Sequence, residues 1–167
     1  MWKTDYSNLD EVLTFLVEKI EFDSQNGFSF CSVVSGNSFD EAFKHLGEPE
    51  IYNTESPQQQ TAQYYAFIDH PEHGKRDHHK LNLLLWAFNE EPIHIIKLHF
   101  DYYSTGLSAE LFHHSVNGFI NSIVEKLGPP EVKKLTRGKQ QLSYQIGRSK
   151  LRIWNNTEGV RIEIRSY

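Results

Sequence analysis

Two segments of this 167-residue chain say nearly the same thing: HLGEPEIY at residues 45–52 and KLGPPEVK at residues 126–133. Each closes an apolar-periodic run and gives its residues the same four roles. Leu46 is the last core-facing position of a helix, Gly47 its cap, Pro49 the residue that forbids another turn, and Ile51 the start of a strand. Leu127, Gly128, Pro130 and Val132 fill those roles again. A stop signal that recurs in this way demands a helix followed by a strand, twice.

The helix before the first stop begins at Ser38, where Ser38-x-x-Glu41 writes a capping box, and its apolar stripe is Phe39, Ala42, Phe43 and Leu46. The helix before the second carries Phe112, Val116, Phe119, Ile120, Ile123, Val124 and Leu127 on one face, with a break predicted at Asn117-Gly118. A further N-terminal helix is predicted over residues 8–20, with Ser7 as its N-cap and Leu9, Val12, Leu13, Leu16, Val17 and Ile20 on its stripe. Asn26-Gly27 marks a turn before the apolar stretch 28–34.

Strand patterns follow each stop. They fall at about 50–54, 62–69, 79–88 and 93–102 in the first half, and at about 131–136, 141–147, 150–154 and 160–166 in the second. KLNLLLW from Lys80 answers KLRIW from Lys150, and NEEPIHI from Asn89 answers NTEGVRI from Asn156. Three matches in one order predict an α+β fold made by tandem duplication. Each unit is a helical segment followed by a four-stranded antiparallel meander, with the helices on one face of the sheet. Residues 1–104 form the first unit, with its extra helix, and 105–167 the second, within one compact domain. In VRIEIRSY, Val160, Ile162 and Ile164 should face inward while Arg161, Glu163 and Arg165 face outward. Adjacent Ile95 and Ile96 predict a central strand, apolar on both sides.

Aromatic residues are plentiful, with 11 Phe, 8 Tyr and 3 Trp, enough for a filled core and an interface. The single cysteine, Cys31, sits in the uncharged run FSFCSVVS and reads as inert core in a reducing compartment. No stretch is long and apolar enough to span a membrane, and MWKTDYSNLDEVLTFL lacks the features of a signal peptide, so a cytoplasmic protein is expected. The net charge of -5 hides a gradient: residues 1–55 carry -8, residues 56–130 carry -3, and residues 131–167 carry +6. Such a gradient either neutralises itself internally or steers a partner.

No phosphate loop, nucleophile elbow or zincin helix is present. His70, His73, His78 and His79 crowd one loop, but adjacent histidines on a strand diverge, so a solvated polar loop is expected rather than a metal site. Lys97, His99 and Asp101 alternate along one strand and read as a polar outer face rather than a catalytic set. The basic C-terminal residues lack interleaved stacking aromatics, and the acidic N-terminal segment would repel phosphates, so nucleic acid is not the expected partner.

A tandem unit of helical segment, Gly-x-Pro stop and four-stranded meander resembles the fold of the β-lactamase inhibitor protein. The resemblance covers most of residues 37–167 and is architectural: the chain lacks that inhibitor's paired cysteines, and no contact residues carry over. It implies a sheet surface that holds another protein. A disulfide-free, acidic, Tyr-rich chain without a catalytic constellation also looks like the immunity proteins that neutralise bacterial toxins. The function this implies is inhibition by direct binding, with no cofactor and no metal, of a partner such as a basic toxin domain. Tyr64, Tyr65, Tyr102 and Tyr103 are then the candidate anchors, and Asp40, Glu41, Glu48, Glu50, Asp69 and Asp77 the candidate steering charges. The alternative is a small-ligand or metal-binding module using the sheet face and the His-rich loop 69–79.

Overall fold

The computed structural model describes residues 1–69, 80–101, 107–136, 139–155 and 159–167. Helix α1 (Leu9–Lys19) is capped by Asn8, whose side-chain oxygen accepts the Glu11 N–H at 2.9 Å. The expected cap, Ser7, lies one position too early to reach that donor, and its own N–H donates to the Glu11 carboxylate instead. Helix α2 (Phe39–Leu46) opens on the predicted capping box: Ser38 Oγ accepts the Glu41 N–H at 3.2 Å, and the Glu41 carboxylate accepts the Ser38 N–H at 2.7 Å. Helix α3 (Ala109–Leu127) starts at Ser108 and runs unbroken through Asn117-Gly118. The expected break does not occur because Val116, Phe119 and Ile123 are buried on both sides of it. Burying each such side chain is worth roughly 1.5–3 kcal/mol, against about 1 kcal/mol for a glycine inside a helix.

The two stop signals fold alike. Gly47 has φ 89° and ψ -173°, Gly128 has φ 88° and ψ -175°, and each donates its N–H to a carbonyl at 2.8 Å, that of Phe43 or Val124. This corner of backbone space is open essentially to glycine alone.

Two short N-terminal pieces, β1 (Asp5–Tyr6) and the hairpin strands β2 (Ile20–Asp23), β3 (Gly27–Phe30) and β4 (Val33–Val34), precede the first stop. After it come β5 (Ile51–Ser56), β6 (Gln59–Ile68), β7 (Lys80–Phe88) and β8 (Ile95–Asp101). After the second come β9 (Glu131–Lys134), β10 (Gln140–Ile146), β11 (Ser149–Asn155) and β12 (Gly159–Ser166). The chain is α+β, with one large mixed sheet in the order β1-β6-β7-β8-β12-β11-β10-β9 and β5 also paired to β6; β2, β3 and β4 form a separate small sheet. All pairings are antiparallel except β1, which runs parallel to the end of β6.

Strands β8 and β12 join the strands of the two halves edge to edge. Ile96 stands opposite Ile164, Lys97 opposite Glu163, and Leu98 opposite Ile162. Strand β8 is therefore central, and Ile95 and Ile96 are both buried, as their adjacency predicts.

Alternate strand residues, among them Tyr64, Leu83, Leu85, Leu98, Ile153, Ile162 and Ile164, share one core with the buried stripes of α1, α2 and α3. The small sheet docks onto the second half at one close contact. A Cβ on Gly27 would lie 2.2 Å from the Ser149 Cβ, and Gly27 has φ 77°. Buried Ser149 accepts the Phe28 N–H at 2.9 Å, and the Phe28 ring meets Tyr144 at 6.4 Å. Cys31, at the turn of this small sheet, is buried, and burial pushes its thiol up to about 11, so the reactive thiolate is scarce at neutral pH.

Candidate functional site

The residues that alternate with the core define the outer face of the sheet. Register sets them in rows that cross from one half to the other. One row reads Tyr65, Asn82, His99, Arg161, Trp154, Gln141. The next reads Gln63, Leu84, Lys97, Glu163, Arg152, Ser143. These side chains are half-buried or exposed. VRIEIRSY divides as its alternation predicts, with Val160, Ile162 and Ile164 inside and Arg161, Glu163 and Arg165 outside.

Between the strands of the first half and the seam lies an open depression of about 390 Å³, lined by Gln63, Tyr65, Asn82, Leu84, Lys97, His99 and Arg161. The Arg161 guanidinium lies over the Trp154 ring, 4.1 Å from its centroid. Such stacking fixes a long cationic side chain in place. Glu163 draws Arg152 at 3.8 Å and Arg165 at 3.9 Å, and both arginines also approach the Tyr167 ring at 5.3 Å. Trp86 and Trp154 hold matching registers: Tyr64 pairs with Leu83, three residues before Trp86, and Tyr144 pairs with Leu151, three residues before Trp154.

Of the two expected anchors among the described residues, one lies on this face and the other does not. Tyr65 is on it, half-buried, with its hydroxyl donating to Gln63 Oε1 at 2.9 Å. Tyr64 is a core residue, 1% exposed, because β6 alternates and its even-numbered side chains point inward. Its hydroxyl donates to the Gly47 carbonyl at 2.8 Å; burial, with the nearby Glu48 and Glu50 carboxylates, keeps it protonated far above the ordinary tyrosine range. Tyr102, Tyr103 and Asp77 lie outside the described residues, as do His70, His73, His78 and His79.

Four of the expected acidic residues, Asp40, Glu41, Glu48 and Glu50, are exposed. Asp40 and Glu41 are exposed in the first turn of α2, and two hydrogen bonds from Ser38 hold the Glu41 carboxyl below the usual glutamate range. Glu48 and Glu50 are exposed at the edge of β6, where Glu50 accepts the Tyr65 N–H at 3.1 Å. Asp69, half-buried at the end of β6, donates its N–H to the Tyr6 carbonyl at 3.0 Å. The ion pairs between described residues lie within each segment: Lys3 with Glu11, and Arg152 and Arg165 with Glu163.

Sequence reasoning singled out Lys97, His99 and Asp101 as an outer strand face; the structure places Lys97 and His99 there, and the Asp101 side chain lies outside those described. It passed over Trp86 and Trp154 as site residues, although the pair KLNLLLW and KLRIW held the signal. Among the described residues, no group of three His, Cys, Asp or Glu side chains could hold a metal ion, and no helix is long and apolar enough to cross a membrane. No family model, curated protein or solved structure matches the chain.

Proposed function

We propose that this chain is a non-enzymatic binding protein, built from a duplicated helix-and-meander unit, that holds another protein on the outer face of its sheet. Inhibition of that partner by direct binding, in the manner of a toxin-immunity protein, is the specific form of the reading. The observation that carries it is the outer face itself, which is continuous across the seam and carries half-buried Trp86 and Trp154 in matching registers on either side of it. Partly exposed tryptophan on a rigid platform is the residue type that dominates binding energy at protein interfaces.

Duplication accounts for several independent details. Gly47 matches Gly128, Tyr64 matches Tyr144, and Trp86 matches Trp154. Continued along the ladders, the same correspondence matches Leu98 with Ile164 and Lys97 with Glu163. Lys97 and Glu163 are also opposite each other across the seam. An approximate two-fold axis would therefore pass through that pair, where two copies of one strand edge would meet.

The depression supports a second reading, a small anionic ligand held by Lys97, His99 and Arg161. The test is affinity capture from lysate of the native source, with the wild type beside Trp86→Ala, Trp154→Ala and an Asp40→Asn/Glu41→Gln double variant, each checked for an unchanged circular dichroism spectrum. Loss of one near-stoichiometric protein with either tryptophan variant, and its retention with the α2 variant, supports the reading. Retention by both tryptophan variants sinks it. A thermal shift with small anions but no captured protein, even at low salt, favours the ligand.

A further inference from the structure

The outer face is electrically divided, and this points to the chemistry of what it holds. Outward side chains on β6 and β7, such as Gln63, Tyr65, Asn82, Leu84 and Trp86, carry no formal charge. From the seam onward the face turns cationic, with Lys97, Arg161, Arg165, Lys150 and Arg152 set against Glu163 and, at the far edge, Glu131. Glu163 is matched by Arg152 and Arg165. Among the residues whose side chains are described, a set that leaves out Asp101, no carboxylate pairs with Lys97 or Arg161, and both line the depression. The Nε donors of Arg152, Arg161 and Arg165 are sequestered without an acceptor among the described residues, so this half of the face is rich in donors and short of acceptors.

From this we infer that the depression is a carboxylate pocket: it takes an Asp or Glu side chain from an acidic segment of the bound protein. This rests on the reading of the outer face as a protein-docking surface and names what docks there. Arg161 supplies the fork, already immobilised over Trp154, so little freedom is lost when a carboxylate arrives. Lys97 supplies a second cation from the facing strand, two positions along the β8–β12 ladder from the His99–Arg161 pair. Asn82, Gln63 and the Tyr65 hydroxyl give polar groups on the uncharged side, and Leu84 gives an apolar wall for the methylene stem. The steering logic is then the reverse of the one the acidic composition suggests: the acidic helices face away, and an acidic partner is drawn to the sheet.

A nucleic acid fits less well. Two cations around one depression, with no carboxylate partner among the described side chains, match one or two carboxylates, whereas a phosphate backbone needs a track of them.

The test uses the full chain and three probes at low salt: capped hexaglutamate, capped hexaglutamine and a ten-nucleotide oligothymidylate. Binding is followed by amide chemical shifts and tryptophan fluorescence. Hexaglutamate should shift the amides of Asn82, Lys97, His99 and Arg161, and hexaglutamine should not. Arg161→Gln and Lys97→Gln should each weaken hexaglutamate at least tenfold, and Arg161→Lys, which keeps the charge but loses the fork, should weaken it less. The proposal is overturned if hexaglutamate shifts other amides, if Arg161→Gln binds it unchanged, or if the oligonucleotide binds more tightly. Capture of the native partner separates the two levels of inference. If Trp154→Ala loses that partner while Arg161→Gln and Lys97→Gln keep it, the docking face stands and the carboxylate pocket falls. If the partner is insensitive to every outer-face variant, the docking face itself falls.

Discussion

The Tyr64 hydroxyl donates to the Gly47 carbonyl at 2.8 Å, tying the second strand after the first stop to the cap of the helix before it. The Tyr144 hydroxyl does the same to Gly128 at 2.9 Å. Each tyrosine reaches back from a buried position to the carbonyl of the residue that turns the chain from helix to strand. The strand that packs under a helix thus also fixes the helix's exit.

Removing either hydroxyl should therefore cost a similar amount. Tyr64→Phe and Tyr144→Phe each delete one hydrogen bond and leave the ring in place, for an expected loss of about 1 kcal/mol. Urea denaturation of the two variants checks this. A loss confined to one of them would show that the two tyrosines do different work.

The contact of Gly27 with Ser149 should be the weak point between the small sheet and the large one. Gly27→Ala would place a methyl 2.2 Å from the Ser149 Cβ at a φ of 77°, so it should undock the small sheet and cost at least ~2 kcal/mol. Ser149→Ala leaves space but removes the acceptor of the buried Phe28 N–H, an expected cost of about 1–3 kcal/mol. Amide exchange at Phe28 distinguishes them from damage elsewhere: both variants should speed it, while amides in the central strands stay protected.

The capping box of α2 predicts a pH dependence. Hydrogen bonds from Ser38 depress the Glu41 carboxyl in the folded chain relative to the unfolded one. A depressed acid stabilises the fold above its unfolded pKa, and that stabilisation is lost as pH falls through the folded value. Wild type should thus be more stable than Glu41→Gln at neutral pH, with the gap closing on acidification below about pH 4.3, the ordinary glutamate value. Ser38→Ala should cost about 1 kcal/mol at neutral pH and move the Glu41 titration, followed by NMR, back toward the ordinary value.

Much of the architecture was legible locally. The capping box, the glycine-proline stops and the alternation of VRIEIRSY are short-range signals whose physics does not need the rest of the chain. Strand positions after each stop followed from the same signals, whereas β1 and β2 before the first stop were not foreseen. Two local readings failed for physical reasons. Ser7 lost the cap to Asn8 because one residue changes which donor is in reach. Asn117-Gly118 did not break α3 because the apolar residues around it are buried, an advantage visible only once the sheet lies beneath them.

The site was far less legible. Tyr64 and Tyr65 are neighbours of one chemical type, yet strand alternation sends Tyr64 into the core and Tyr65 onto the outer face. Which of the two is inward depends on the register of β6 against β7, a long-range property. The sequence by itself determined where helices begin and stop, which strands alternate, and that charge is graded along the chain. Only the tertiary structure decided that β8 meets β12, because that pairing joins residues 58 to 70 positions apart and no local signal encodes it. The pairing sets Arg161 beside His99 and Lys97 opposite Glu163, and so makes one continuous outer face from two halves whose sequences, read separately, showed only polar strands.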